Sequence, residues 1–450
     1  MKNVDLLRAL CDFDQAVTLR ASGRAWFLRC WESARFYLFT LIFSQRTELD
    51  VPYTPTRSDV VTRAVAALRS FKVLFSSTGN VEILFLVHER ARNGVDPYLD
   101  MFIQATGRDR AEFAFWGDSR CEDQNGRFGN LEFQSIDAVK FVSKVASIVV
   151  APLFGVVLVP VFFLGSAYLN WKAYKTLVLR FGEAWIAYYL YRYLLKKQGP
   201  TFLVMTVSYC NAALCAAAKD LGVIVVELQH GLISPNHIGY CDFKSSLCRP
   251  DWFGFFGTDW APQLPWRCMT FVVGHPAWKE YIQNQVPPAK CPDGFKHVLV
   301  ISQRSISGSI RAFIEEALRS SDYIFEVKLH PAEDKGNQYE GMGSRVVVHR
   351  ESLLNDLVSR CAFIVGGYST LVIELAAKGL LVNVLPVAGV ERLPSNVINC
   401  NLLETGDDLL PRSSGGDAPK FFEKTDFLAI KNLLQKKMTL DSARSAVNES

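Results

Sequence analysis

Apolar residues in this chain fall into short unbroken runs, separated by polar turns rich in glycine and proline. In the first half such runs occupy 81–87, 112–116, 201–207, 223–228 and 270–273. In the second half they occupy 298–301, 323–329, 345–348, 362–365 and 381–385. An apolar run of this length, bounded by turn residues, reads as a strand buried on both faces, as strands of a parallel sheet are. Segments with helical spacing lie between them, at 100–104, 211–220, 310–318, 353–358 and 371–377. Strand and helix in alternation predict parallel βαβ units. The fold class is therefore α/β, with two Rossmann-like domains facing a cleft. A helical region covers 1–70, the first domain 71–283 with an apolar insertion at 140–199, and the second domain 297–438. Pro287, Pro288, Pro292 and Gly294 mark 284–296 as the linker, and 439–450 reads as a polar tail.

Two segments depart from this rhythm. In residues 1–70, Arg20, Arg24, Arg29, Arg35 and Arg46 alternate with Trp26, Phe27, Trp31, Phe36, Tyr37, Leu38 and Phe43. That mixture suits either an amphipathic helix against anionic lipid or a helix packed on its own protein. Residues 145–171 carry no charge at all and contain Pro152 and Pro160. A simple membrane span would put the strands before and after it on opposite sides of a bilayer. A proline-broken hairpin dipping into one leaflet is the expectation instead, anchored by Lys140, Lys144, Lys172 and Lys175. This places the protein at the cytoplasmic side of an inner membrane.

Charge and cysteine content narrow the partners. The chain has 450 residues, 49 basic against 45 acidic, a net charge of +4. No concentrated basic surplus marks it as a nucleic-acid binder. The 11 cysteines include no C-x-x-C pair, so neither a zinc ribbon nor a redox dithiol is expected, and a reducing compartment is.

Candidate chemistry gathers just after the strands, where ligands bind in open α/β sheets. Three histidines stand there: His230 in Gln229-His230-Gly231, His275 in Gly274-His275-Pro276, and His330 in Lys328-Leu329-His330-Pro331. His230 is the candidate base for an acceptor hydroxyl, with Glu89 and Asp96 as carboxylate reserves. Gly366-Gly367-Tyr368-Ser369-Thr370 lies between a strand and a helix, an arrangement that favours an anion at the helix N-terminus. Glu374 in the next turn is placed to meet a ribose hydroxyl, and Ser302 and Gln303, after the second domain's first strand, add polar groups for a phosphate. There is no G-x-x-x-x-G-K-[ST] and no strand-linked G-x-G-x-x-G, which removes the main support for ATPase or dehydrogenase readings.

In this order, QHG, GHP, SQ, KLHP and GGYST followed by a helical glutamate, the chain resembles the bacterial GT-B transferases of surface polymers. These are the capsule Kdo transferases, polysialyltransferases and CDP-glycerol glycerophosphotransferases. The resemblance spans about residues 200–390 and implies a GT-B-like fold. It also implies a nucleotide-sugar donor, with a cytidine nucleotide favoured, and a lipid-linked or growing polysaccharide acceptor. His330, Pro331, Ser369 and Thr370 would hold the nucleotide phosphate, and His230 would activate the acceptor. Lys328 stands where arginine is frequent, and Tyr368-Ser369-Thr370 replaces a Ser-Ser pair. Neither a cofactor nor a metal is expected, because the cleft segments contain no acidic D-x-D. Two other readings fit the same pattern: a nucleotide-sugar epimerase, and a non-catalytic scaffold of a polysaccharide assembly or export complex.

Overall fold

The computed structural model describes residues 3–46, 65–71, 81–87, 96–106, 113–117, 133–241, 247–275, 296–330, 333, 337–350, 354–387, 389–394, 400–403, 409–411, 422–423, 425–426 and 428–435. Glu89, Pro331, nearly all of the 284–296 linker and the 439–450 tail lie outside the described residues.

Two parallel sheets form the molecule. The first contains β1 (Ile83–Leu86), β2 (Phe113–Gly117), β3 (Phe133–Ser135), β4 (Phe202–Met205), β5 (Ile224–Leu228), β6 (Trp252–Phe255) and β7 (Met269–Val272). Its spatial order is β3-β2-β1-β4-β5-β6-β7. The second contains β8 (His297–Ile301), β9 (Ile324–Lys328), β10 (Val346–His349), β11 (Phe363–Gly366), β12 (Val382–Val384) and β13 (Cys400–Leu402). Its order is β10-β9-β8-β11-β12-β13. Central strands such as β1 (ILFL) and β4 (FLVM) are buried along their whole length, hence their unbroken apolar sequence. Strand order reverses between β1 and β4 in one sheet and between β8 and β11 in the other. These reversals open crevices at the carboxyl ends of the strands, the place where such sheets take ligands.

The N-terminal helices α1 (Asn3–Arg20) and α2 (Ala25–Arg46) belong to the core, which decides between the two readings of this region. Phe13, Phe27, Trp31, Phe39 and Phe43 are buried in one cluster with residues of the later helices. The arginines find internal partners: Arg35 pairs with buried Asp14 at 3.0 Å and Arg29 with Asp220 at 2.8 Å. Trp31 donates to the same Asp14 at 2.8 Å. Most of the aromatic side of these two helices is thus spent on protein contacts, with Trp26 left 41% exposed.

The apolar insertion is a helical hairpin, and of its two prolines only Pro160 stands at a break. Helix α4 (Asp137–Val157) runs through Pro152, and the break falls at Leu158, with Pro160 in the first turn of the short α5 (Val159–Leu164). A first-turn proline gives up no intrahelical bond, so Pro160 is tolerated there. After a turn, Asn170 accepts from the Ala173 N–H at 2.8 Å and starts α6 (Trp171–Gln198), which returns against α4. Gly182 lets the two helices approach: a Cβ there would lie 3.0 Å from Val150 Cγ2. Helix α6 is well buried, whereas the outer face of α4 is open, with Val149 78% and Val156 73% exposed.

The remaining helices cover the sheets: α3 (Pro97–Thr106) and α7 (Ala212–Asp220) in the first domain, and α8 (Ser307–Ser320), α9 (Leu354–Arg360) and α10 (Thr370–Ala377) in the second. The chain then crosses back. Ile430, Leu433 and Leu434 pack with Phe85, Phe102 and Val204 of the first domain, so the helical segment 428–435 covers the first sheet. The second domain is thus shorter than the 297–438 read from sequence.

Candidate functional site

Motifs of the two domains meet where their strands end. After β5, Gln229 is wholly buried and fixes the turn from both sides. Its amide donates to the Gly231 carbonyl at 2.9 Å, and its carbonyl oxygen accepts from the Phe256 N–H at 2.9 Å. His230 is carried on that turn, half-buried. Gly231 faces the start of α10 closely: a Cβ there would lie 3.6 Å from Thr370 Oγ1. His275, after β7, stands edge-on to the rings of Phe256 and Phe422, at 4.7 and 4.8 Å between centroids. Its Nε2 lies 3.5 Å from the Glu374 carboxylate. Glu374 therefore faces a first-domain histidine, a role different from the ribose contact predicted for it.

On the opposite side, Ser369 caps α10, its hydroxyl accepting from the Val372 N–H at 3.3 Å. Ser369 and Thr370 are both half-exposed. The first N–H groups of a helix have no intrahelical partner, and the dipole adds partial positive charge there. The glycine pair has a packing cause. A Cβ on Gly366 would lie 2.6 Å from Val372 Cγ2, and one on Gly367 2.2 Å from Ile306 Cδ1. A side chain at 367 would have to displace the tip of Ile306, so packing alone favours glycine there.

Ser302 corrects another expectation. It is buried, donating to Glu333 Oε1 at 2.8 Å and lying 2.6 Å from the Tyr339 hydroxyl. The second Glu333 oxygen accepts from the His330 N–H at 2.7 Å. Ser302 therefore holds the turn that presents His330 and does not face a phosphate. Glu333, three residues beyond His330, was missed in sequence. A carboxylate just past a strand-ending His-Pro is the signal that could have found it. Gln303 remains at the site: its amide is 3.3 Å from Ser305 Oγ, and its carbonyl oxygen has no partner among the described residues. Lys328 turns away, donating to the Arg350 carbonyl at 2.7 Å.

Of the carboxylate reserves, Asp96 is a buried helix cap, accepting from the N–H groups of Tyr98 (3.1 Å) and Leu99 (3.3 Å). That duty accounts for it without chemistry. The carboxylate that stands out is Glu227, on β5 three residues before His230. It is fully buried and accepts from the Tyr240 hydroxyl at 3.0 Å, while its second oxygen has no hydrogen-bond partner among the described residues. Burial pushes its pKa up to about 7, the neighbouring Ser208 and Tyr240 offsetting only part of the effect.

Beside it, at the β4 end of the first sheet's switch point, a small open pocket is lined by Arg35, Phe36, Ser208, Tyr209, Arg249 and Trp266, among others. Aromatic faces with hydroxyl and guanidinium edges suit a sugar. This pocket was missed in sequence; the polar Ser208 and Tyr209 just after the 201–207 strand are the signal that could have found it. Among the described residues, no three His, Cys, Asp or Glu side chains cluster as a metal-ligand set.

No protein-family model matches the chain, and no curated protein does. Solved structures resemble it at low identity. UDP-GlcNAc 2-epimerase from Neisseria meningitidis bound to UDP-GlcNAc is 12% identical, over 81% of this chain and 93% of that one, with a TM-score of 0.40. MurG from Acinetobacter baumannii is 12% identical over 71% and 80% of the two chains, with a TM-score of 0.38. The lipopolysaccharide outer core galactosyltransferase WaaB is 12% identical over 69% and 82%, also at 0.38. Nothing about substrate or reaction follows from likenesses this distant.

Proposed function

We propose that this chain is a GT-B-type glycosyltransferase that moves a sugar from a cytidine-nucleotide donor, CMP- or CDP-linked, to a lipid-linked or growing polysaccharide acceptor. The observation that carries the reading is the apposition of the His230 turn with the first turn of α10, Gly231 against Thr370. An acceptor-side histidine and an anion-binding helix end are thereby brought to one cleft.

The residues assign the chemistry as follows. The donor phosphate sits at the N-terminus of α10, bounded by Ser369, Thr370 and His330. The acceptor occupies the pocket beside Ser208 and Tyr209. His230 takes the proton from the acceptor hydroxyl as that oxygen bonds to the anomeric carbon, and the bond from this carbon to the nucleotide phosphate oxygen breaks. The departing phosphate gains negative charge, which the helix end and His330 stabilise. No metal is needed in this scheme, because fixed dipoles receive the charge.

The same proposal places the enzyme on the cytoplasmic face of an inner membrane. Support comes from the open face of α4 and α5, where Val145, Ile148, Val149, Leu153, Val156 and Phe163 are all exposed. Contiguous apolar surface of this kind marks an interaction site, and nearby lysines suit anionic headgroups.

A thermal-shift screen with CMP, CDP, UDP and GDP tests the donor assignment. A ligand at about a hundredfold excess over its Kd stabilises by about 2.7 kcal/mol. Stabilisation by a cytidine nucleotide above the others is the expected result, and its absence for all four sinks the reading. An epimerase would convert its nucleotide sugar with no acceptor present, whereas the transferase releases nucleotide only when an acceptor is added.

A further inference from the structure

Arg392 lies in the short helical turn Val390–Arg392 beyond β12, at the carboxyl end of the second sheet. Its guanidinium lies over two rings, 5.7 Å from the Phe43 ring centroid and 5.2 Å from that of Tyr368. The turn is held across the domains by Asn236, whose amide donates to the Glu391 carbonyl at 2.8 Å. Tyr368 is itself fixed, its hydroxyl 2.9 Å from Ser305 Oγ. The guanidinium is thus held by two aromatic contacts beside the Gly367–Ser369 turn.

Among the described residues no carboxylate forms an ion pair with Arg392, and its Nε is buried without a hydrogen-bond acceptor. A buried donor left unsatisfied is costly, and an arginine held against rings keeps its N–H edge for recognition. That edge matches two oxygens of a phosphate or carboxylate. Nearby His237 accepts the Gly239 N–H on Nδ1, and burial, with the Arg392 charge adding to it, lowers its pKa to about 3. It is neutral at physiological pH and contributes no second positive charge.

We propose that Arg392 is a ligand-binding residue that takes a second anionic group of the molecule whose first phosphate lies at α10. This rests on the donor reading above. The shared chemistry is an oxyanion, supplied either by the distal phosphate of a nucleoside diphosphate or by the carboxylate of an acidic sugar on CMP.

Calorimetry on the full chain and on Arg392→Met separates the sources, because Met keeps an unbranched apolar stem against the rings and removes the charge. The probes are CMP, CDP, CMP-N-acetylneuraminic acid and inorganic pyrophosphate. A charge-assisted contact predicts a loss of roughly ten- to a hundredfold. Loss for CDP and pyrophosphate, with CMP unchanged, identifies the phosphate. Loss confined to CMP-N-acetylneuraminic acid identifies the carboxylate. Equal loss for CMP and CDP moves Arg392 to the first phosphate and overturns the assignment. Wild-type affinity for every probe with a lowered Tm makes Arg392 structural and overturns it too. If the native protein binds no nucleotide, the donor reading fails. The Arg392 assignment then stands on a pyrophosphate loss and falls without one. Arg392→Lys, which keeps charge but not the planar fork, is expected to lose less than Met does.

Discussion

Replacing Glu227 with Gln isolates the effect of burying a carboxyl group beneath the candidate acceptor pocket. The side chain is fully buried in β5, so it resists ionisation and its pKa stands at about 7 against an ordinary 4.5. The difference, about 2.5 pH units, corresponds to about 3 kcal/mol at 1.36 kcal/mol per unit, an order-of-magnitude figure. The sign follows from which state holds the proton. Below pH 4.5 both folded and unfolded chains are protonated at this position, and the contribution to stability is fully present. As pH rises from 4.5 to 7 the unfolded chain releases its proton first, so stability falls, and above pH 7 the loss is complete.

Gln has nearly the same shape, can still accept from the Tyr240 hydroxyl, and cannot ionise. Glu227→Gln should therefore be neutral or mildly destabilising at pH 5 and more stable than wild type at pH 8. The mutant-minus-wild-type difference should swing by about 2.5 kcal/mol between the two, since part of the loss is already present at pH 5. Urea unfolding followed by tryptophan fluorescence, at intervals from pH 5 to pH 8, reads that difference from the shift in midpoint. Other titrating groups cancel in the subtraction. A difference that stays flat across this range would falsify the argument, because it would mean Glu227 ionises in the folded protein as it does in water.

Three further outcomes are expected. Ser369→Ala and His330→Ala should each weaken binding of the stabilising nucleotide. Ser369→Ala should also lose about 1 kcal/mol of stability with its helix cap, and either variant keeping full affinity by calorimetry removes that residue from the site. His230→Ala should lower turnover by roughly 10²–10⁴-fold at unchanged nucleotide affinity, and a loss below about tenfold would exclude it as the base. Val149→Asp combined with Val156→Asp should abolish flotation with anionic vesicles while leaving Tm unchanged, since these side chains are 78% and 73% exposed. Undiminished flotation would mean that α4 is not the membrane-facing surface.

What could be read from sequence was local, and what could not depends on partners far along the chain. The strands were visible because a strand covered on both faces needs apolar residues without interruption, as in Phe202–Met205 and residues 298–301. Their neighbours were not, since β4 pairs with β1 across the whole α4–α6 hairpin. The same limit explains the misread arginines of α2. Arg29 and Arg35 look like a solvent- or lipid-facing row until Asp220 and Asp14 are brought beside them. The site repeats the lesson at the scale of single atoms. Ser369 was legible because an N-cap serine is defined by the residues that follow it. Ser302 was not, because a hydroxyl after a strand can face a cleft or a buried carboxylate, and only the return of Glu333 decides. Gly367 is the sharpest instance. A glycine pair before a helix invites a ligand-approach explanation, yet the space its Cβ would need is filled by Ile306. A glycine in such a turn thus marks a close approach, and the sequence does not say whether a ligand or the protein's own side chain makes it.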